Sequence, residues 1–350
     1  MKEFIIDKSN KDQRFDKYIK RILKTAPDAF IYKMLRKKNI VLNGKKASGK
    51  EKLSEGDEVK IFLSDETFLK FSGPAGSDKH DHLIDETFAK KNAGLFKAGI
   101  LYEDEDIIIY DKPAGILSQK AKKDDISVNE LLLAYLYDKE SDNKERFKMF
   151  TPSVCNRLDR NTSGIILLAK TLPGARLLSS ALKDRRVHKE YLALVHGNVD
   201  LKDDKEVIKE AYLKKDKDGN SVIISDLSET KGGKIISESD DNNIRIKTGI
   251  IPYKRYSFAG EEFTLLKVIL YTGKTHQIRA FLSHLSYPIA GDVKYDKGHK
   301  EHYKNIKGYP KRQFLHAAKI RFPEDILSGR EFESPLAPDL KDFLELISKR

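Results

Sequence analysis

Short apolar segments recur along the chain from residue 99 onward, and they limit the possible folds more than any other feature. The clearest of these strand candidates are 100–115, 163–170, 190–197 and 263–270. Helical patterns occupy 127–137, 172–184 and 275–285. The helices therefore do not alternate regularly with the strands, as a doubly wound parallel sheet requires. The pattern predicts an α+β fold with a mixed, largely antiparallel sheet.

The length of 350 residues exceeds that of an ordinary single domain, so we expect two domains. The change in pattern near residue 99 separates them. A small α+β domain is predicted over 1–63, and a larger domain over 99–350. Residues 64–98 are predicted to form a linker, because 72–82 is polar and rich in Gly, Pro and Ser.

The net charge of +12 and the pI of about 9.3 indicate a polyanionic partner, nucleic acid before membrane. Residues 1–63 hold 17 Lys or Arg against 9 Asp or Glu, a net charge of +8. No apolar run approaches the roughly 20 residues of a membrane span, and the first residues lack a signal-peptide core. A single cysteine, Cys155, cannot form an internal disulfide. We expect a cytoplasmic monomer that binds nucleic acid and no membrane.

The small domain combines two short helices with a hairpin. Residues 14–24 place apolar side chains on one helix face and cations on the rest, and a second helix is expected to begin near Asp28. Asn43-Gly44 is typical of a tight turn. A strand with alternating apolar residues should follow over 59–63.

Polar residues border the strands of the large domain. Asp159 lies between Arg157 and Arg160 before an apolar segment, Tyr191 opens a strand, and Arg279 follows a T-G-K-T-H-Q stretch. Phosphate-binding glycine loops, dinucleotide-binding motifs and Cys/His metal motifs are missing, so neither a cofactor nor a metal is expected. The residues alone do not show whether these side chains converge. Asp159 could equally be a salt-bridged residue at a strand entry.

Five ordered motifs resemble those of the RluA family of RNA pseudouridine synthases. They read NRLDRNTSG, KEYLALVHG, TGKTHQIRAF, PIAGDVKY and LHA, with an upstream E-D-x-D and K-P-A-G at 103–115. The resemblance spans about 99–340. In the small domain, RFDK, IVLNG and GDEVKI resemble the RNA-binding fold named after ribosomal protein S-four.

The first resemblance implies an isomerase that converts uridine in RNA to pseudouridine without a cofactor. Asp159 would be the catalytic aspartate, either attacking C1′ of the ribose or removing a proton from C2′. Arg279 would pair with it as a second catalytic residue, and Tyr191, the third, would stack on the target uracil and could assist proton removal. Large-subunit ribosomal RNA is the preferred substrate, because S-four-like domains accompany ribosomal members of the family, and transfer RNA is the alternative.

Further residues would bind the substrate. Leu315 matches the apolar lining of the base pocket, and Arg157 matches a position that occupies the gap left by the flipped uridine. Lys274 stands where the family has Arg and keeps the charge without the bidentate fork. Arg160 could contact phosphate or serve as an ordinary surface arginine. The S-four-like resemblance implies an RNA-binding set of cations: Arg14, Lys17, Arg36, Lys37, Lys38 and Lys45.

The chain departs from the family pattern at Asn156, which replaces the usual His, and at Phe281, which also stands where His is common. Activity is expected to survive because the aspartate chemistry does not need that His. A catalytically inactive RNA-binding or ribosome-assembly factor is the alternative. A different glycosidic-bond enzyme would need a second carboxylate in the motifs. Residues 200–262 are polar and are predicted to form hairpin loops.

Overall fold

The computed structural model describes residues 1–349, apart from several short segments. The segments outside the description are 8–9, 73–85, 123–124, 140–149, 202–204, 217–220, 228–229, 232–233, 236–242, 297 and 299–307. Two hydrogen-bonded sheets carry most of the remaining strands, one near the N-terminus and one much larger. None of the helices in the described segments has the length and apolar character that a membrane crossing requires.

The N-terminal sheet is antiparallel, with strand order β1-β4-β2-β3. Its elements are β1 (Lys2–Ile5), α1 (Phe15–Ile22), α2 (Asp28–Arg36), β2 (Ile40–Leu42), β3 (Lys45–Lys46) and β4 (Glu58–Ile61). The two predicted helices and the predicted turn are confirmed. Asn43 and Gly44 both have positive φ, 50° and 71°, as a two-residue turn between antiparallel strands requires. Apolar faces of both helices and the sheet form a separate core.

Two helices lie in the stretch for which a linker is predicted, α3 (Asp65–Ser72) and α4 (Glu86–Lys97). Phe96 of α4 is fully buried and stacks on Tyr110 with ring centres 4.4 Å apart. It also contacts Tyr135. Residues 86–97 therefore pack on the large domain, and a polar composition around one anchoring aromatic conceals this from the sequence. The Gly/Pro/Ser-rich stretch after Ser72 lies outside the described residues.

The large sheet has 11 strands, in the main order β11-β10-β14-β15-β9-β16-β8-β6-β5. Its strands are β5 (Ile100–Glu103), β6 (Ile107–Lys112), β7 (Ser153–Val154), β8 (Ser163–Ala169), β9 (His188–His196), β10 (Val207–Lys215), β11 (Val222–Asp226), β14 (Ile244–Phe258), β15 (Glu261–Leu270), β16 (Leu315–Arg321) and β17 (Glu331–Glu333). A separate pair is formed by β12 (Thr230–Lys231) and β13 (Lys234–Ile235). Only β16 and β8 pair in parallel among these described strands. The predicted mixed, largely antiparallel sheet is confirmed.

Four helices accompany this sheet: α5 (Val128–Lys139), α6 (Leu172–Lys183), α7 (Gln277–His284) and α8 (Pro338–Ser348). The first three fall within one or two residues of the predicted positions. Thr171 caps α6, since its hydroxyl accepts the Gly174 amide hydrogen at 3.2 Å. Helix α8 begins with Pro338, whose fixed φ suits a first helical position.

The prediction of hairpin loops over 200–262 is wrong for the described part of that range. Strands β10, β11 and β14 lie there, and β14 alone has 15 residues. Ile246 and Thr248 are buried, while Arg245 and Lys247, which alternate with them, are not buried. This alternation is typical of a sheet with one covered face, and its charged outer residues made the segment resemble a loop.

Candidate active site

Asp159 lies in the short loop between β7 and β8, and neighbouring segments fix this loop through its backbone. The Arg160 carbonyl accepts hydrogen bonds from the Gly115 amide at 2.9 Å and from Lys112 Nζ at 3.1 Å. Ser118 Oγ donates to the Leu158 carbonyl at 2.8 Å and accepts from the Leu158 amide at 2.9 Å. The residues on both sides of Asp159 are therefore held, which restricts where its carboxylate can point.

Lys112 closes β6 and is fully buried. Besides the Arg160 carbonyl, its ammonium donates to the carbonyls of Pro113 at 2.9 Å and Ile116 at 2.8 Å. Burial, followed by the charge of Arg312, lowers the pKa of Lys112 to about 7. This side chain thus ties the K-P-A-G turn to the Asp159 loop.

Arg279, in the first turn of α7, joins two carboxylates. Its Nη1 donates to Asp159 Oδ2 at 2.9 Å. Its Nε and Nη2 form a fork with Asp292, at 2.7 and 2.9 Å. Burial opposes the charge of Arg279, but hydrogen bonds and charges from Asp292 and Asp159 raise its pKa above the usual value. Asp292 thereby fixes the orientation of the Arg279 guanidinium, and this orientation directs Nη1 to Asp159.

His276 precedes α7 in a left-handed conformation, with φ of 54°. Its Nδ1 lies 2.9 Å from the hydroxyl of Tyr295, and its Nε2 lies 3.9 Å from Asp159 Oδ2. Burial lowers the pKa of His276, against the opposing charge of Asp159. The next residue, Gln277, is buried and bonded to Thr272, Thr248 and two backbone groups. Gln277 therefore shapes the start of the helix.

Tyr191 and Leu315 belong to neighbouring strands and share one face of the sheet. In the antiparallel register of β9 and β16, Leu315 pairs with Ala193 and Ala317 pairs with Tyr191. Both side chains are almost completely buried. Burial, with a contribution from the charge of Asp159, raises the pKa of Tyr191 well above its usual value. The phenol is therefore uncharged at neutral pH.

Residues 106–284, which carry all of this site except Leu315, Asp292 and Tyr295, match the model of a family described as RNA pseudouridylate synthase. The chain belongs to the RluA family of RNA pseudouridine synthases. These enzymes are isomerases that convert uridine in RNA to pseudouridine. The motif resemblance of the sequence is thereby confirmed for the large domain.

Relatives of this synthase cover nearly its whole length. A protein of Rickettsia bellii named ribosomal large subunit pseudouridine synthase C is 33% identical over 91% of this chain and 92% of its own. A protein of the same name from Pasteurella multocida is 31% identical over 98% and 93%. In structure, human RNA pseudouridylate synthase domain containing 4 is similar at a TM-score of 0.59 and 18% identity, covering 74% of this chain and 97% of that one.

The predicted substrate-binding cations of this synthase occupy exposed positions near the Asp159 loop and the start of α7. Arg157 and Lys274 are exposed, and neither forms an ion pair or side-chain hydrogen bond with a described residue. Arg160 is also exposed and lies 3.6 Å from Asp125. Asn156 has a structural contact, since its Oδ1 accepts the Leu167 amide hydrogen at 2.7 Å. This bond fastens the start of the loop to β8.

The cations predicted to bind RNA in the N-terminal sheet domain are also exposed. Arg14 differs from the others because its charge is paired: its guanidinium forms a fork with Asp16. The hydroxyl of Tyr32 also donates to Asp16. The other five form no ion pair with the part of the chain that the structure describes: Lys17, Arg36, Lys37, Lys38 and Lys45. Three of these five are consecutive, at the C-terminal end of α2.

Asp292 and Tyr295 both belong to the PIAGDVKY motif, but the sequence alone indicates no role for either. Tyr295 lies against Arg279, with the guanidinium carbon 5.2 Å from its ring centre, and its hydroxyl bonds His276 and the Val222 amide. The available signal for Asp292 was a carboxylate within a family motif that had been given no binding partner. Among the described residues, no group of three or more His, Cys, Asp or Glu is placed to hold a metal ion.

Proposed function

We propose that this synthase isomerises a uridine of large-subunit ribosomal RNA, with Asp159 as its catalytic group. The observation that carries the proposal is the Arg279–Asp159 contact at 2.9 Å, formed by a carboxylate that stays 24% exposed while Asp292 behind it is fully buried. Of the two carboxylates that bind Arg279, Asp159 is therefore the one that a substrate can reach. The names of the Rickettsia and Pasteurella relatives favour ribosomal RNA.

In the proposed reaction the bond between uracil N1 and ribose C1′ breaks, and a bond between C5 and C1′ forms. The carboxylate of Asp159 either bonds to C1′ or accepts a proton from C2′, and both routes remain open. The C5 hydrogen is finally released as a proton, and N1 gains one. Arg279 holds Asp159 in place. Its positive charge balances that of the carboxylate while the N1–C1′ bond breaks and while the C5–C1′ bond forms.

Tyr191 and Leu315 are assigned to the base. The target uridine must leave the RNA stack, and an aromatic ring with an adjacent apolar side chain offers the separated uracil a surface on which to turn. The raised pKa of Tyr191 keeps its phenol protonated, which favours stacking over a role as a base. Arg157 is exposed and unpaired among the described residues, so it is free to enter the gap left by the base.

The N-terminal sheet domain is assigned to RNA binding, as its S-four-like motifs suggest. Cations at the end of α2 and in the β2–β3 hairpin would contact phosphates and orient the RNA without reading its sequence. Lys274, and Arg160 if it leaves Asp125, would contact phosphates near the target. The synthase would act in the cytoplasm.

The test combines Asp159→Asn with RNA tritiated at uridine C5. Wild-type protein should release tritium, and Asp159→Asn should release none while binding RNA normally. Pseudouridine mapping in a deletion strain then identifies the target, with transfer RNA as the competing outcome. Full activity of Asp159→Asn would refute the catalytic assignment. Binding without tritium release by the wild type would favour the inactive RNA-binding factor.

A further inference from the structure

Arg312, three residues before β16, is a buried connection between the catalytic loop and the C-terminal helix. Its Nε and Nη2 form a fork with Asp339 in the first turn of α8, at 2.7 and 2.8 Å. Its Nη1 donates to the Asn161 carbonyl at 2.9 Å, and Nη2 also donates to Ser163 Oγ at 3.2 Å. One side chain thus contacts Asn161 in the loop and Ser163 at the start of β8, two and four residues after Asp159.

The adjacent residue strengthens this connection. Gln313 is buried, and its Nε2 donates to Thr162 Oγ1 at 3.3 Å. Asn161, Thr162 and Ser163 are therefore all contacted by two consecutive side chains. Lys112 and Ser118 hold the other parts of the loop, and Arg312 with Gln313 holds its exit into β8.

The backbone of residues 312–314 lies against the segment that carries Asp292. Gly291 precedes Asp292, and a Cβ atom on Gly291 would lie 2.2 Å from the Arg312 carbonyl oxygen. The Phe314 amide also donates to the Ala290 carbonyl at 2.8 Å. Residues 312–314 therefore contact both the loop that carries Asp159 and the segment that carries Asp292, which in turn fixes Arg279.

We propose that Arg312 is a positioning residue of the isomerase reaction, which with Asp339 sets the carboxylate of Asp159 relative to Arg279. This inference rests on the proposed role of Asp159. Arg312 is 9% exposed and acts through the Asn161 carbonyl without touching the RNA. A lysine could keep the charge but could not form the fork with Asp339 and reach Asn161 together.

The experiment measures single-turnover tritium release and RNA affinity for Arg312→Lys and Asp339→Asn in the full chain. We expect Arg312→Lys to lower the rate of the chemical step by about 100-fold, with the Kd for RNA within about threefold of wild type. Asp339→Asn removes the anchoring charge from a partly exposed side chain and should lower the same rate by about tenfold without unfolding the protein. Arg321→Lys, at the exposed end of β16, is the matched control and should change neither quantity.

Four results separate the possible explanations. An unchanged rate in both variants overturns the inference, and so does weaker RNA binding with an unchanged rate, because Arg312 would then act on affinity. If Arg312→Lys does not fold, a normal rate in folded Asp339→Asn also overturns it. Activity in Asp159→Asn, measured alongside, overturns the proposed function instead, whatever the Arg312 variants show.

Discussion

Nη1 of Arg279 lies 2.9 Å from Oδ2 of Asp159, so a residue in the first turn of a helix is joined to a loop 120 positions earlier in the chain. This contact uses one nitrogen of a guanidinium whose other two nitrogens are occupied by Asp292. The direction of the Arg279 side chain is therefore set by a carboxylate that is fully buried.

The first prediction concerns that carboxylate. Asp292→Asn should lower tritium release by about 100-fold, because Arg279 loses the charged fork that directs Nη1 to Asp159. It should also lower the free energy of unfolding by about 3 kcal/mol, as expected when a buried ion pair loses one partner. Denaturant unfolding and the tritium assay measure the two effects.

Asp226→Asn is the control for this variant. Asp226 pairs with His284 at 3.1 Å on the surface, with a side chain that is 65% exposed. Its replacement should leave both quantities close to wild type. Equal behaviour of the two variants would show that Asp292 does not direct Arg279.

The second prediction concerns Lys112. Lys112→Met keeps the side-chain volume but leaves the Pro113 and Ile116 carbonyls without the ammonium donor, and it leaves the Arg160 carbonyl with the Gly115 amide alone. The free energy of unfolding should fall by about 3 kcal/mol, and the reaction should slow because the Asp159 loop loses one of its two hydrogen bonds to the K-P-A-G turn. Lys120→Met, at a partly exposed lysine 3.7 Å from Glu130, is the control and should change stability by less than about 1 kcal/mol. A fully stable Lys112→Met protein contradicts this role.

The third prediction concerns pH. His316 is fully buried, with Nδ1 3.0 Å from Ser163 Oγ and Nε2 3.1 Å from Ser334 Oγ, and burial lowers its pKa. The unfolded chain therefore takes up a proton at His316 near pH 6.5, before the folded chain does. The stability contribution of neutral His316 is complete above pH 6.5 and is lost as the pH falls below that value.

Thermal unfolding between pH 7.5 and 5 measures this effect. The wild type should lose stability as the pH falls, whereas His316→Gln should be less stable at pH 7.5 but show a shallower decline. Because His276 and His188 also have lowered pKa values, some decline should persist in the variant. Parallel curves for the two proteins would contradict the assignment to His316.

The fourth prediction concerns the cluster Arg36, Lys37 and Lys38. Replacing all three by Gln should weaken RNA binding uniformly across sequences and make the slope of log affinity against log salt shallower by about 2 to 3, since three phosphate contacts are lost. Nitrocellulose binding over a salt series measures the slope. The control replaces Lys90, Lys91 and Lys97, which are exposed on α4, and changes the net charge equally. The same slope in both triple variants would place the RNA contact elsewhere.

Local patterns in the sequence were sufficient for strands β4, β5, β6, β8, β9 and β15 and for most of the helices. Ser163–Ala169 is a fully buried strand preceded by a polar loop, and this combination is visible in consecutive residues. Strand β14 was missed because Arg245 and Lys247 occupy its outer face, where a strand can carry charge. Helix α4 was missed because it follows a polar segment and only Phe96 is deeply anchored among aromatic rings.

The support of the site could not be read in the same way. Arg312 contacts Asn161 across 151 positions, and Asp292 becomes important only once α7 brings Arg279 beside it. No periodicity or spacing encodes such contacts, because they depend on how distant strands are ordered in the sheet. Family motifs pointed to Asp159, Tyr191 and Arg279, whereas the side chains that hold these three emerge from the fold.

Gly164 allows β16 to lie against β8, since any Cβ at that position would come within 2.2 Å of the Ala317 carbonyl oxygen. Strand β16 enters between β8 and β9, pairing Ala317 with Gly164 on one side and with Tyr191 on the other. During synthesis, β8 and β9 leave the ribosome long before the strand that joins them. The central sheet is therefore completed late, by a long-range contact that slows folding. A chain truncated before residue 315 would contain both Asp159 and Arg279. It would still lack β16, the strand that joins β8 to β9 and so connects the two halves of the sheet.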